Sequence, residues 1–328
     1  MVFKWILCFV AMMPLLGGCI QPRINIFSDS TEPLEEYTLQ GSGKEKVLVL
    51  PIRGVLSDSP RDSFLRSRPS MVQEVVSHLR KAEDDKSIKA LLLKVDSPGG
   101  TVTASDLLYH EIMRYKEHSG AKVIAIFMGV AASGGYYAAL PADRIVAHPT
   151  TVTGSVGVIF IKPKVAGLME KIGLDVEVDK SGKNKDMGSP FRKSTEEERE
   201  ISQDLIEGLA GRFLGLVASH RSLEPAQLRN VASARVYLAD EAMELGLVDR
   251  IGYLDDAVKE AKKLAELSED ARVVVYRRTE YSDDNLYNSS TSRAEQTAVK
   301  LVDFGLLESL RVLPSGFYYL WLPAANIE

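Results

Sequence analysis

Apolar positions along this chain fall into two rhythms that follow one another in turn. Compact runs of Val, Ile and Leu, "KVLVLPI" (46–52), "IKALLLKVDS" (88–97) and "KVIAIFM" (122–128), read as strands buried on both faces. Between them, "MVQEVVSHLRKAEDD" (71–85) and "ASDLLYHEIMRYKEH" (104–118) repeat apolar residues every three or four positions, the period of a helix with one buried face. Further along, "RIVAHP" and "GSVGVIF" predict short strands, "KVAGLMEKIG" a helix, and "DVEVDKSGKNKDMGSP" a strand entering a glycine- and lysine-rich loop. A long helix is predicted from about Thr195 to His220, with Ser194 as N-cap and Glu197 three residues on, the pattern of a capping box. This alternation predicts an α/β domain.

The two ends break the rhythm. Residues 1–19 read "MVFKWILCFVAMMPLLGGC", with one lysine before an apolar run from Trp5 to Leu16. Twelve apolar residues suit a signal-peptide core better than a bilayer span. "LLGGC" is similar to the lipobox of bacterial lipoprotein signals, which implies cleavage before Cys19 and lipidation of that residue. Residues 1–18 are therefore expected to be a lipoprotein signal peptide and 19–44, polar with Pro22 and Pro33, a tether. The folded domain is expected over 45–279. A polar, Ser/Asn-rich linker is expected over 280–300. The closing segment, 301–328, contains "LVDFGLLESLRVLPSGFYYLWLP", strongly apolar in a chain with 7% aromatic residues. It could dock on its own domain, on a membrane or on a neighbouring copy.

Composition removes several function classes. A net charge of −5 supplies no basic field for the phosphates of nucleic acid. Cys8 and Cys19 are the only cysteines, so after cleavage no thiol would remain for a disulfide, a nucleophile or a metal. The five histidines lack the HExxH spacing of a zinc enzyme, and neither a metal nor a cofactor is called for.

What remains is hydroxyl chemistry. In "GVAASGGYYAAL" (129–140) a strand ends in small residues around Ser133. A strand, a glycine turn and a helix can expose a nucleophile where backbone N–H groups are unpaired. The stretch is no P-loop, because Gly135 stands where lysine is required. As a nucleophile elbow it would have Ala131 in the first glycine's place and lack a suitable histidine. Taken alone, Ser133 is as much a helix cap as a catalytic residue. "DSPGG" (96–100) ends another strand in a shape that suits an oxyanion hole or a plain turn. "TGSVGV" (153–158) puts Ser155 between glycines, and "SGKNKDMGSPFR" (181–192) carries Lys183 and Lys185.

Together these four stretches resemble the signal peptide peptidase A family, whose members are membrane-associated serine peptidases with a Ser/Lys dyad. The resemblance runs from about Lys46 to Leu264 and includes "ARVYLADEAMELGLVDRIGYLDDAV" (234–258). It implies a Clp protease/crotonase-like fold of repeated strand-strand-helix units. By the same likeness Ser133 is the nucleophile, Lys185 its general base and Ser155 the residue that orients the lysine. Gly100 is then the oxyanion donor, and Gly134 could add a second N–H. A lysine of ordinary pKa near 10.4 is protonated at neutral pH, so such a site must desolvate it.

The resemblance further implies cleavage of signal-peptide remnants or other unfolded apolar polypeptides in the bacterial cell envelope, and the lipobox implies a lipid-anchored protein facing the periplasm or exterior. The chain carries one copy of the core, as half-length members do. That implies a homo-oligomer, an octameric ring, with the lysine supplied by the adjacent subunit, although a dyad within one chain stays open. The lipobox departs from the uncleaved transmembrane helix usual in the family. Two other readings stay beside this one: a catalytically silent lipoprotein scaffold, and a crotonase-type acyl-CoA enzyme, for which a Ser/Lys pair is the wrong chemistry.

Overall fold

The computed structural model describes residues 33–63, 66–288 and 315–325. The first half runs β1 (Glu35–Gln40), β2 (Lys46–Arg53), β3 (Arg61–Ser63), β4 (Arg66–Arg68), α1 (Met71–Glu83), β5 (Ile88–Ser97), β6 (Gly99–Thr101), α2 (Val102–Ser119) and β7 (Lys122–Ala132). Then follow α3 (Gly134–Ala139), β8 (Arg144–Ala147), β9 (Val152–Gly154), β10 (Ile159–Ile161), α4 (Ala166–Ile172) and α5 (Glu196–Arg221). The remainder is α6 (Pro225–Val231), β11 (Val236–Leu238), α7 (Ala239–Glu244), β12 (Arg250–Ile251), α8 (Leu254–Leu264), β13 (Arg272–Arg277) and β14 (Gly316–Leu320).

The main sheet has the order β1-β13-β2-β5-β7-β8-β12, and β9 joins the far end of β7 and pairs with β11. From β13 to β12 every pairing is parallel. The apolar runs of the sequence explain this, because alternate residues of one strand serve different layers. Leu48, Leu50 and Ile52 join the core that contains Leu79 of α1 and Leu108 of α2. Val47, Val49, Ile124 and Ile126 face Ala257, Val258 and Ala261 of α8 on the other side. The expected α/β architecture is present.

Several boundaries differ from the sequence reading. Glu35–Gln40 lies in the stretch expected to be a tether, yet it pairs antiparallel with β13. Leu39 packs on the second core, and Lys46 binds Glu36 at 2.8 Å and Asp85 at 2.7 Å. "GSVGVIF" is two strands in separate sheets, β9 and β10, divided at Ser155, whose φ is 53°. "DVEV" forms no strand; Val176 and Val178 are exposed and meet no pairing edge. The N-cap of α5 is Thr195, one residue beyond Ser194, because its side chain and that of Glu198 exchange hydrogen bonds with each other's backbone N–H at 3.2 and 3.0 Å.

Residues 280–288, within the expected linker, are described, and Leu286 is buried with its carbonyl accepting from Lys94 Nζ at 2.6 Å. The signal peptide, Cys19 and residues 289–314 lie outside the described residues. Among the described residues no helix is long and apolar enough to cross a membrane.

Candidate active site

The parallel sheet delivers two strand ends side by side. β5 ends at Ser97 and β7 at Ala132, and Ser97 stands opposite Ala131. After β5 the chain turns through Pro98 and Gly99, whose φ of 99° is natural only to glycine. Ser97 Oγ fixes this turn by donating to Gly54 O at 2.6 Å and accepting from Gly99 N at 3.1 Å. After β7 the chain passes through Ser133 into α3.

Ser133 has φ 52° and ψ −118°, a conformation few non-glycine residues adopt, and such strain gathers at functional sites. It is held from both sides. Its N–H donates to Gly154 O at 2.8 Å and its carbonyl accepts from Tyr137 N at 2.9 Å. The side chain is buried, and among the described residues Oγ has no hydrogen-bond partner. Buried hydroxyls are normally paired, so an unpaired one beside a strained backbone marks a candidate reactive group. The bond to Gly154 also brings Ser155 alongside; its N–H donates to Arg235 O at 2.8 Å.

Gly100 and Gly134 meet at the same point. A Cβ built on Gly134 would come 3.1 Å from Gly100 N, and one built on Gly99 would come 2.6 Å from Gly134 N. Two backbone N–H groups next to a buried hydroxyl can stabilise an oxyanion formed by attack on a carbonyl.

Of the residues singled out in the sequence, Ser133, Ser155, Gly100 and Gly134 therefore converge. Lys185 does not join them. It is exposed, in a turn-rich loop between α4 and α5, and makes no bond to Ser133 Oγ. The loop around it is nevertheless tied down. Asp186 accepts from Arg192 Nε at 2.7 Å and Nη2 at 2.9 Å, and from Lys180 Nζ at 2.7 Å. Arg192 also binds the nearly inaccessible Glu198 through Nη1 at 3.0 Å. The Arg192 guanidinium and Lys180 hold the Asp186 carboxyl well below the usual carboxylate range, and Arg192 holds Glu198 down at about 2. Lys183 is an exposed partner of Glu197.

The sequence reading missed an aromatic pocket next to these glycines. Tyr137 donates its hydroxyl to Asp106 at 2.6 Å, and Arg212 of α5 binds the same carboxylate at 2.7 Å. Burial and the hydrogen bond to Asp106 raise the Tyr137 pKa well above ordinary phenols. Phe213 packs on Tyr137 with centroids 4.8 Å apart. The signal was present in "GGYYAA", but nothing there says that one tyrosine lines a cleft.

The cleft is occupied by the chain itself. β14 lies antiparallel between β6 and β10, forming a three-stranded sheet that joins strands otherwise apart. Of the fates open to the C-terminal segment, Gly316–Leu320 takes docking on its own domain.

The Clp protease family model matches residues 65–152, and the model for peptidase family S49 matches residues 115–268. A protein of Enterococcus faecium named "Putative signal peptide peptidase SppA" is 36% identical over 252 residues, 77% of this chain and 73% of that one. The chain belongs to peptidase family S49. It is a serine peptidase with a Clp protease-like α/β fold. Protease 4 of Haemophilus influenzae is 32% identical over 79% of this chain but only 40% of its own length. The chloroplastic serine protease SPPA of Arabidopsis thaliana shows the same 32% identity over 78% of this chain and 39% of that protein.

Proposed function

We propose that this S49 peptidase is a lipid-anchored endopeptidase of the bacterial envelope, acting on signal-peptide remnants and other unfolded apolar chains through a Ser133/Lys185 dyad. The observation that supports the dyad is Ser133 itself: a strained, buried serine whose Oγ has no partner among the described residues, beside the backbone N–H groups of Gly100 and Gly134. Oγ attacks the peptide carbonyl carbon while its proton passes to neutral Lys185 Nζ. The oxyanion is held by the two N–H groups. As the C–N bond breaks, Lys185 returns the proton to the leaving amine, and water then releases the acyl group from Ser133.

Lys185 comes from a second copy in this reading. Its loop is exposed within one chain, and the segment from α4 through this loop also exposes Leu168, Ile172, Leu174 and Phe191. Exposed apolar side chains in number favour association. Seating the loop over a neighbour's Ser133 would remove water from the lysine, lowering its affinity for a proton. The ring expected for half-length members supplies such a neighbour. The anchor is Cys19, for which the motif "LLGGC" is the support.

A fluorophosphonate probe tests the dyad. Covalent labelling at Ser133 is expected in the oligomer, with loss in Ser133→Ala and strong slowing in Lys185→Ala. Labelling that survives Ser133→Ala rules the assignment out.

A further inference from the structure

The two oxyanion donors belong to different elements, and the gap between them has to be set by contacts elsewhere. Gly100 lies on β6, which runs through the N-cap Thr101 into α2; Thr101 Oγ1 accepts from Ala104 N at 3.1 Å. Gly134 opens α3, a helix of six residues. So short a helix does not hold its direction through its own hydrogen bonds, and its packing partners decide it.

The first turns of α2 supply those partners. Ser105 is fully buried, donates to Thr101 O at 2.9 Å, and stands where a Cβ on Gly134 would strike its Oγ. That contact limits how close α3 comes but does not hold it there. Asp106 does. Tyr137 lies one turn beyond Ser133, its N–H donating to Ser133 O at 2.9 Å, and its hydroxyl donates to Asp106 Oδ1 at 2.6 Å. The same oxygen accepts from Arg212 of α5, Nη2 at 2.7 Å and Nε at 3.2 Å. One carboxylate oxygen therefore joins α2, α3 and α5. Burial pushes the Asp106 carboxyl up, but the bonds from Tyr137 and Arg212 outweigh it and hold the group below the usual carboxylate range. Hydrogen bonds to an ionised acceptor are roughly twice as strong as neutral ones.

Global stability is not what this cluster secures. The Asp106 and Arg212 side chains are 37% and 55% exposed, and ion pairs that meet water contribute little. α3 stays packed without it, because Tyr136, Tyr137 and Ala138 all belong to the main core and Tyr136 has its own acceptor, Leu247 O, at 2.7 Å. What the Asp106 bond adds is the angle of α3 to α2, and with it the aim of the Gly134 N–H.

Resting on the serine-peptidase reading of Ser133, we propose that Asp106 is a positioning residue for the oxyanion hole: its carboxylate clamps α3 to α2 and α5, and so fixes the Gly134 N–H beside that of Gly100. Such donors act on the charge that develops in the transition state, so a loosened clamp costs rate and leaves peptide binding in place.

The test uses the full chain with Asp106→Ala, Asp106→Asn and Tyr137→Phe, one fluorogenic peptide, and a peptide aldehyde whose adduct with Ser133 Oγ puts a negative oxygen in the hole. Asp106→Ala and Tyr137→Phe should each lower kcat by about 10-fold to 100-fold with KM within about threefold of the parent. The inhibition constant of the aldehyde should rise by the factor by which kcat/KM falls. Asp106→Asn keeps an acceptor for Tyr137 and should recover most of the rate, and the Asp106→Ala/Tyr137→Phe double variant should be no worse than either single one. If Asp106→Ala folds badly, Tyr137→Phe, which loses one hydroxyl, carries the test. Unchanged kcat in Tyr137→Phe, or a lower kcat with unaltered aldehyde affinity, overturns the clamp alone when fluorophosphonate still labels Ser133. Absence of both labelling and cleavage in the parent chain overturns the clamp together with the peptidase reading of Ser133.

Discussion

Arg192 grips Asp186 through two nitrogens, at 2.7 and 2.9 Å, and Asp186 directly follows Lys185 in the chain. The same guanidinium reaches Glu198 in the first turn of α5. One arginine thus connects the lysine-bearing loop to the helix behind it. Both members of the first pair meet solvent, so its value lies in geometry more than in global stability. Planar, two-nitrogen recognition of a carboxylate is a property lysine lacks.

Arg192→Ala is expected to lower kcat by about 10-fold to 100-fold while KM changes little, because a misplaced base costs rate without weakening peptide binding. Arg192→Lys should recover only part of the loss. Steady-state kinetics with a thermal melt of each variant checks this. A fall in Tm without a change in kcat would make Arg192 merely structural.

The individual roles separate by substitution. Ser133→Ala and Lys185→Ala should each remove on the order of 10³-fold or more of the turnover, and the double variant should be no worse, since the pair acts as a unit. Ser155→Ala should cost roughly 10-fold to 100-fold, as expected for a residue that only orients the base. Lys183→Ala should be nearly silent, given its exposed pairing with Glu197. One fluorogenic peptide assayed against all four single variants suffices. Loss of activity in Lys183→Ala with full activity in Lys185→Ala would exchange their roles.

β14 fills the gap between β6 and β10, so a substrate strand added to those edges would compete with it. Tyr319→Ala, which empties the aromatic pocket, should lower KM for a fluorogenic peptide several-fold with kcat little changed, as expected when an internal competitor is weakened. Initial-rate kinetics on the full chain reads it. An unchanged or higher KM would show that β14 does not compete.

Lys94 gives a pH signature away from the cleft. Burial, reinforced by Arg277, lowers its pKa to about 8, and Nζ is left with the Leu286 carbonyl as its acceptor. A lysine whose folded pKa lies below its unfolded value near 10.4 binds fewer protons when folded, so stability should rise with pH between about 8 and 10.4. Comparing denaturation midpoints of the parent and Lys94→Met across that window isolates the contribution. The parent should gain on the variant as pH rises; parallel curves would contradict the assignment.

The strands of the main sheet were legible because their two faces serve two cores, which leaves uninterrupted apolar runs in the sequence. The glycines were legible as well: Gly99, Gly100 and Gly134 stand where a Cβ would strike backbone or Ser105 Oγ, and such crowding leaves a spelling in the chain. The first turn of α5 was read one residue early because Ser194 with Glu197 and Thr195 with Glu198 satisfy the same capping rule. Only the hydrogen bonds choose between them. The fate of "GFYYL" was not legible, because its partners, Gly99–Thr101 and Ile159–Ile161, are far apart in sequence and each is three residues long. The exposure of Lys185 was equally silent: its loop, rich in Gly, Lys and Asn, is spelled like any solvated loop.

The most direct test of a dyad built from two copies is complementation. Ser133→Ala and Lys185→Ala chains, each inactive alone, would be co-expressed so that mixed oligomers assemble, and peptide cleavage measured per oligomer. In a ring with head-to-tail contacts, random mixing makes about a quarter of the sites from a serine-bearing copy and a lysine-bearing neighbour. Recovery to about that fraction of parental activity is the expected result. Mixed oligomers no more active than either variant alone would contradict a Ser133/Lys185 pair shared between subunits.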